Sequence, residues 1–176
     1  MDSSYSYRRY SDVREVLADW EGRLHSLQGR RLSDFHAEWE VGIDGPEGWW
    51  VNGRVLLNFE GVQLELGASC CEFSVSVDTF RPDFDAVWGD EEVCLVEWRS
   101  FPWSQSQRFR GAQLTSLSSV EGWYNDDSKF KGLSFSFDQG SFCFFDAGDE
   151  LGMTWSKLPH DPSLRWTLGP TLCGES

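Results

Sequence analysis

Val55-Leu56-Leu57-Asn58-Phe59-Glu60-Gly61-Val62-Gln63-Leu64-Glu65-Leu66 reads as a β-hairpin, and the fold class follows from it. Val55, Leu57 and Phe59 fall on one face of the first arm, and Val62, Leu64 and Leu66 on one face of the second. Successive strand residues point to opposite faces, so this alternation builds one apolar face and one wet face. Glu60-Gly61 between the arms supplies the tight turn. The same period of two continues outward. Phe35, Ala37, Trp39 and Val41 alternate with His36, Glu38 and Glu40, which predicts a strand whose three polar side chains face solvent. Phe73, Val75 and Val77 form another run, and Val93, Leu95 and Glu97 alternate with Cys94, Val96 and Trp98. In the second half Leu133, Phe135 and Phe137 lead through Asp138-Gln139-Gly140 into Phe142 and Phe144.

Upstream the period changes to 3.6. Val13, Val16, Leu17, Trp20, Leu24 and Leu27 make one apolar stripe of a helix at about residues 11–27. Ser11 or Asp12 serves as N-cap, Asp12-x-x-Glu15 resembles a capping box, and Gly29 stops the helix. The two halves also suggest an internal duplication. Gly29-Arg30-Arg31-Leu32 parallels Gly111-Ala112-Gln113-Leu114, and Leu57-Asn58-Phe59-Glu60-Gly61 parallels Phe135 to Gly140 with one insertion. The expectation is a mainly β, α+β fold. An N-terminal amphipathic helix packs on an antiparallel sheet of about seven or eight strands, closed as a barrel or stacked as a sandwich. Residues 1–176 form a single domain, with a β body at about 31–146 and an irregular tail at about 148–176, where Pro159, Pro162 and Pro170 fall.

Charge is the second informative feature. The net charge is −14, with 15 Lys and Arg against 29 Asp and Glu. Residues 1–31 hold six Arg and five acids, so residues 32–176 hold nine basic and 24 acidic residues, a net of −15. Such a field attracts basic partners and repels nucleic acid and anionic lipid. No apolar run is long enough to span a bilayer, and Met1 to Tyr5 lacks the start of a secretory signal. The five Cys include no C-x-x-C, so a reducing, cytoplasmic setting is expected, with Cys94 and Cys143 as buried thiols in strands.

The chemistry-bearing motifs are absent. The three histidines, His25, His36 and His160, form no zinc-binding pair, so no metal is expected. There is no G-x-S-x-G elbow, no G-x-G-x-x-G and no phosphate-cradling loop, so neither an enzyme nor a cofactor is expected. The segment most like a site is Thr79 to Glu92. It sets Phe80, Phe84 and Trp88 among Asp83, Asp85, Asp90, Glu91 and Glu92. Aromatics supply contact area at interface centres and carboxylates speed encounter with a basic partner. The same composition also suits a solvated loop whose aromatics fold back onto the core. Trp123-Tyr124-Asn125-Asp126-Asp127 is a second aromatic and acidic turn. The partner-binding candidates are therefore Asp83, Asp85, Trp88, Asp90, Glu91, Glu92, Tyr124, Asp126 and Asp127.

The hairpin V-L-L-N-F-E-G-V-Q-L-E-L, the turn W-Y-N-D-D, the strand G-L-S-F-S-F and the later D-A-G-D-E-L-G carry a likeness to a known group. The chain resembles the small acidic immunity proteins of bacterial polymorphic and contact-dependent toxin systems. That resemblance implies a stoichiometric inhibitor of a toxin's active face. If the toxin is a nuclease, its cleft is basic and an acidic inhibitor fits it. The rival expectation is a small-ligand or carbohydrate-binding β-domain, in which some of the 10 Trp stack on sugar rings.

Overall fold

Asp12 caps the helix, its side chain accepting a hydrogen bond from the Arg14 backbone N–H at 2.8 Å. The computed structural model describes residues 9–10, 12–42, 53–69, 72–78, 87–90, 94–100, 112, 114–124, 129–148, 150–155 and 165–168. Helix α1 spans Val13–His25 and buries Val16 and Leu24 from the expected stripe, with Leu27 following just beyond it. Gly29, with φ at +80°, turns the chain out of the helix toward the first long strand.

The described strands number twelve, all paired antiparallel, in two sheets. They are β1 (Arg9–Tyr10), β2 (Leu32–Glu40), β3 (Arg54–Phe59), β4 (Val62–Ser69), β5 (Glu72–Val77), β6 (Val87–Asp90), β7 (Cys94–Ser100), β8 (Leu117–Tyr124), β9 (Phe130–Phe137), β10 (Gly140–Asp146), β11 (Leu151–Thr154) and β12 (Arg165–Leu168). The larger sheet runs β1-β5-β4-β3-β2-β7-β6 and the smaller β11-β10-β9-β8-β12. The mainly β class with one N-terminal helix is as expected, and the sheets stack as an open sandwich. The strand number exceeds the expected seven or eight. The additional strands β1, β6, β11 and β12 are two to four residues long, too short to display a period, while the eight-residue β8 does not alternate cleanly and takes in Trp123 and Tyr124, which the sequence assigned to a turn. Two of them, β11 and β12, lie in the tail that was expected to be irregular.

The core lies between the sheets and is built from phenylalanine. Phe35 meets Phe144 edge-on at 5.8 Å, Phe59 stacks on Phe135 at 5.8 Å, and Phe73 meets Phe130 edge-on at 5.3 Å. In each pair one ring comes from each sheet. Helix α1 packs against β5 of the larger sheet and β8 of the smaller, so it closes one side of the sandwich. Just past the helix, Gly29 N–H donates to Leu117 O at 2.9 Å and Leu117 N–H donates to Arg30 O at 2.7 Å.

The duplication is visible in the register. β2 to β5 and β8 to β11 are four-stranded meanders with the same pairing. Phe59 pairs with Leu32 as Phe137 pairs with Leu117, and Leu57 pairs with Leu64 as Phe135 pairs with Phe142. Leu66 pairs with Val75 as Phe144 pairs with Met153. Both lead strands carry a register shift at the same place, between Leu32 and Asp34 and between Leu117 and Ser119. Ser33 Oγ donates to Asn58 O at 2.9 Å, and Ser118 Oγ donates to Ser136 O at 2.8 Å. The structure aligns the two copies differently from their glycines. Leu32 corresponds to Leu117, not to Leu114, which is 71% exposed. The hairpins correspond without an insertion, so Gly61 matches Gln139 rather than Gly140.

Two glycines give opposite expectations. A Cβ at Gly132 would run into the Phe144 carbonyl oxygen, whereas one at Gly22, inside α1, meets nothing within 4 Å. Gly132→Ala is expected to cost on the order of 2 kcal/mol or more. Gly22→Ala is expected to add about 0.5–1 kcal/mol. Urea unfolding of both variants checks the pair.

Candidate functional site

The charged residues of β2, β3 and β4 converge on the outer face of the larger sheet. The inner face takes Phe35, Ala37, Val55, Leu57, Leu64 and Leu66, so alternation puts His36, Glu38, Arg54 and Glu65 on the other side. Glu38 was expected to be solvated there. It is 5% exposed, and Glu65 is 1% exposed. Arg54 holds both. Its backbone N–H donates to Glu38 Oε2 at 2.7 Å, its Nε donates to Glu38 Oε1 at 2.6 Å, and its Nη1 reaches Glu65 Oε1 at 3.5 Å. Ser76 Oγ donates to Glu65 Oε2 at 3.2 Å. The Arg54 guanidinium also lies over the Trp98 ring, 5.3 Å from its centre, an arrangement that favours a cation. Burial pushes the Glu38 carboxyl above the usual range, while the Arg54 charge and hydrogen bonds pull it back and the nearby Glu65 charge raises it further.

The second meander shows what this cluster is not needed for. The corresponding positions of Glu38, Arg54 and Glu65 are Trp123, Gly132 and Cys143. There Trp123 Nε1 donates to Ser134 Oγ at 2.7 Å, and Phe145 lies across Gly152. Cys143 is fully buried, as expected, and burial pushes its thiol up to about 12, so it is inert. The same register thus forms with Trp123, Gly132 and Cys143 at the three positions that hold the ion cluster in the first meander, although Glu121 shares that outer face. The charges are an addition to the scaffold rather than a condition of it.

Beside the cluster, Ser100 Oγ and His36 Nε2 are 3.0 Å apart across β2 and β7, and Asp34 Oδ2 is 3.5 Å from His36 Nδ1. Burial lowers the His36 pKa and Asp34 raises it in part. The order matches a nucleophile, a base and an orienting carboxylate. The carboxylate stands beyond hydrogen-bond reach, however, and Ser100 is exposed on a strand. The trio therefore ties neighbouring strands together rather than framing a cleft.

Of the sequence candidates, Trp88 and Asp90 lie on β6, at the edge of the larger sheet, opposite Val96 and Cys94 of β7. Tyr124 ends β8 of the other sheet and packs partly buried against the core. Asp83, Asp85, Glu91, Glu92, Asp126 and Asp127 lie outside the described residues. Sequence reading missed the ion cluster because a Glu on an alternating strand looks solvated. The available signal was Arg54 opening the β3 run while Glu38 and Glu65 share its outward face. Hollows of about 150 Å³ beside Phe137 and Trp155 and about 180 Å³ beside Arg31 and Glu60 are smaller than ordinary ligand pockets. No group of three or more His, Cys, Asp or Glu able to hold a metal exists among the described residues. Among them, too, no helix is long and apolar enough to cross a membrane. No family model matches the chain, and no curated protein and no solved structure matches it.

Arg54→Met leaves two buried carboxylates without their cation. The expected cost is about 3 kcal/mol at neutral pH. The sign with pH follows from linkage. Losing the guanidinium raises the Glu38 pKa further, so the folded variant binds a proton that the unfolded chain releases. The deficit is therefore largest well above that pKa and shrinks as the pH falls. Urea unfolding at about pH 7 and about pH 5 reads the difference.

Proposed function

We propose that this protein is an acidic, non-catalytic binding protein that neutralises a basic bacterial toxin by stoichiometric association. The observation that carries the reading is the charge, a net of −15 over residues 32–176, carried on a β-sandwich with a phenylalanine core. A strong field of one sign speeds encounter with the opposite sign. A toxin that handles nucleic acid needs Lys and Arg to hold phosphate, which makes its cleft the natural complement. The likeness to immunity proteins in the hairpin and turn motifs supports the same reading.

The tryptophans whose side chains are described lend little to the carbohydrate reading. Trp39, Trp98 and Trp123 are buried, and Trp20 and Trp155 pack partly buried against the core. Trp20 Nε1 donates to Tyr10 Oη at 2.5 Å, whose hydroxyl in turn donates to Asp19 at 2.9 Å. These rings serve packing and the hydrogen bonds of the fold rather than an open sugar platform.

The test is capture of partners from lysate with the tagged protein at low and high salt, followed by binding kinetics with any recovered basic protein. Association is expected to slow about tenfold or more between low salt and physiological salt. Replacing Asp90, Glu91 and Glu92 together by Ala is expected to slow association with little change in dissociation. An affinity indifferent to salt would contradict the proposal.

A further inference from the structure

The two copies differ at one corner of the core, where the hairpin turn meets the segment ahead of the lead strand. In the first copy α1 and the residues after it close that corner. Arg23 Nη1 donates to Val77 O at 2.9 Å, and Arg30 Nη1 donates to Glu60 O at 3.0 Å. Leu27, Phe59, Leu64 and Val77 are all fully buried. The register names their counterparts. Phe59 matches Phe137 and Leu64 matches Phe142, while Val77, two residues past Val75, matches Trp155, two past Met153. Leu27 lies five residues ahead of Leu32 and Ala112 five ahead of Leu117, so an alanine stands where the first copy has a leucine. Ala112 is buried too, but a methyl is all it brings. The second corner is accordingly left hollow. A space of about 150 Å³ is lined by Ala112, Phe137, Phe142 and Trp155, with Gln139 and Ser141 of the hairpin also on its wall. Phe137 stacks on Phe142 at 5.5 Å and Trp155 meets Phe142 edge-on at 6.3 Å, so three rings form a continuous apolar wall. No charged side chain lines the space among the described residues.

We infer that this hollow is a binding site for one small uncharged aromatic ring. Size and lining select the class. Ordinary ligand pockets run to about 300 Å³ or more, which rules out a nucleotide or a sugar chain here, whereas an apolar cavity of about 150 Å³ takes up one benzene molecule. Aromatic walls suit a ring that packs edge-on or offset against them. A ring carrying a carboxylate would have to enter the field of a chain with a net charge of −14, and is disfavoured. Gln139 is exposed and marks the mouth, where its amide and the Ser141 hydroxyl suit a phenol that buries its ring and keeps its own hydroxyl hydrogen-bonded. Such a ring comes either as a free phenolic molecule or as an aromatic side chain of a bound protein. The inference does not rest on the proposed toxin partner.

The test is a titration of phenol into the isotope-labelled full chain, read by backbone amide and indole N–H chemical shifts. N-acetyltyrosinamide stands in for a protein side chain, and benzoate and 2-naphthol are the controls for charge and size. The expected result is saturable perturbation of Ala112, Gln139 to Phe142 and Trp155 by phenol, with a dissociation constant of about 1 mM or below. Benzoate and 2-naphthol are expected to bind at least about tenfold more weakly. Ala112→Leu restores the leucine of the first copy and is expected to weaken phenol about tenfold or more by filling its place. Ala112→Val adds less bulk, is expected to weaken phenol about threefold, and keeps the test readable if the leucine variant unfolds. Shifts by phenol without N-acetyltyrosinamide would support the site and assign it to a free molecule; shifts by both would support it and admit a side chain of a bound protein. No saturable shift at about 10 mM phenol, or shifts centred elsewhere, would overturn the site. So would phenol binding that a folded Ala112 variant leaves unchanged. Benzoate bound as tightly as phenol would overturn the uncharged class.

Discussion

The whole sandwich depends on alternation being kept in step in two meanders at once. Strand side chains repeat every two residues, so a slip of one residue would carry Phe59, Phe135 and Phe142 from the core to the surface. The turns hold the register. Glu60 and Gly61 both have positive φ, at 46° and 93°, as a two-residue hairpin of the twist-matching kind requires. Asn58 Oδ1 accepts from the Gly61 N–H at 3.1 Å and fastens that turn from the side. With the hairpin fixed, the cross-sheet phenylalanine pairs follow, and with them the position of everything on the outer faces.

A strand with a clean alternation was legible in the sequence alone, whereas β8, whose pattern is interrupted at Ser118-Ser119 and Gly122, was not. The hairpin of Val55 to Leu66 and the stripe from Val16 to Leu27 are both present where their spacing put them. What escaped was short or was decided at a distance. β6 has four residues, and its place beside β7 is a pairing that no local pattern announces. The alignment of Leu32 with Leu114 failed for a related reason. Matching glycines outweighed the bulge, yet the bulge after Leu32 and Leu117 is the feature the two copies share. The outer ion cluster was hidden by its own regularity. Glu38 and Glu65 sit where a polar residue belongs on a wet face, and only the folded sheet shows that this face is dry around them. The acidic stretch from Thr79 to Glu92 stood out in sequence, but the pairing of Val87–Asp90 beside β7 did not.

Duplication lets the two copies be read against each other. Each supplies a lead strand with a bulge, a tight hairpin and a fourth strand, and each presents most of its phenylalanines and leucines inward, among them Phe35, Leu57 and Phe59 in one and Leu133, Phe135 and Phe142 in the other. They part company outside. One outer face is held by an arginine bonded to two carboxylates and laid over Trp98; the other is held by Trp123, Phe145 and small residues. A buried polar network gains little stability over well-packed apolar groups, and its partners depend on one another. The second copy keeps its charged contacts elsewhere, as in the Lys131–Asp146 pair, so the two outer faces have diverged while the register has not.

The paired hydrogen bonds between Leu117 and the Gly29–Arg30 segment have a kinetic meaning. They join the entry of the first copy to the entry of the second, with about half of the chain between them. Helix α1 bridges the same two halves, touching β5 on one side and β8 on the other. Neither half can complete its burial until the other has formed, because each core face is the lid of its twin. A topology rich in such distant contacts folds slowly and as one unit. The repeat that makes the architecture simple to describe therefore does not make it divisible, and a ribosome must release the second meander before the first has anything to fold against.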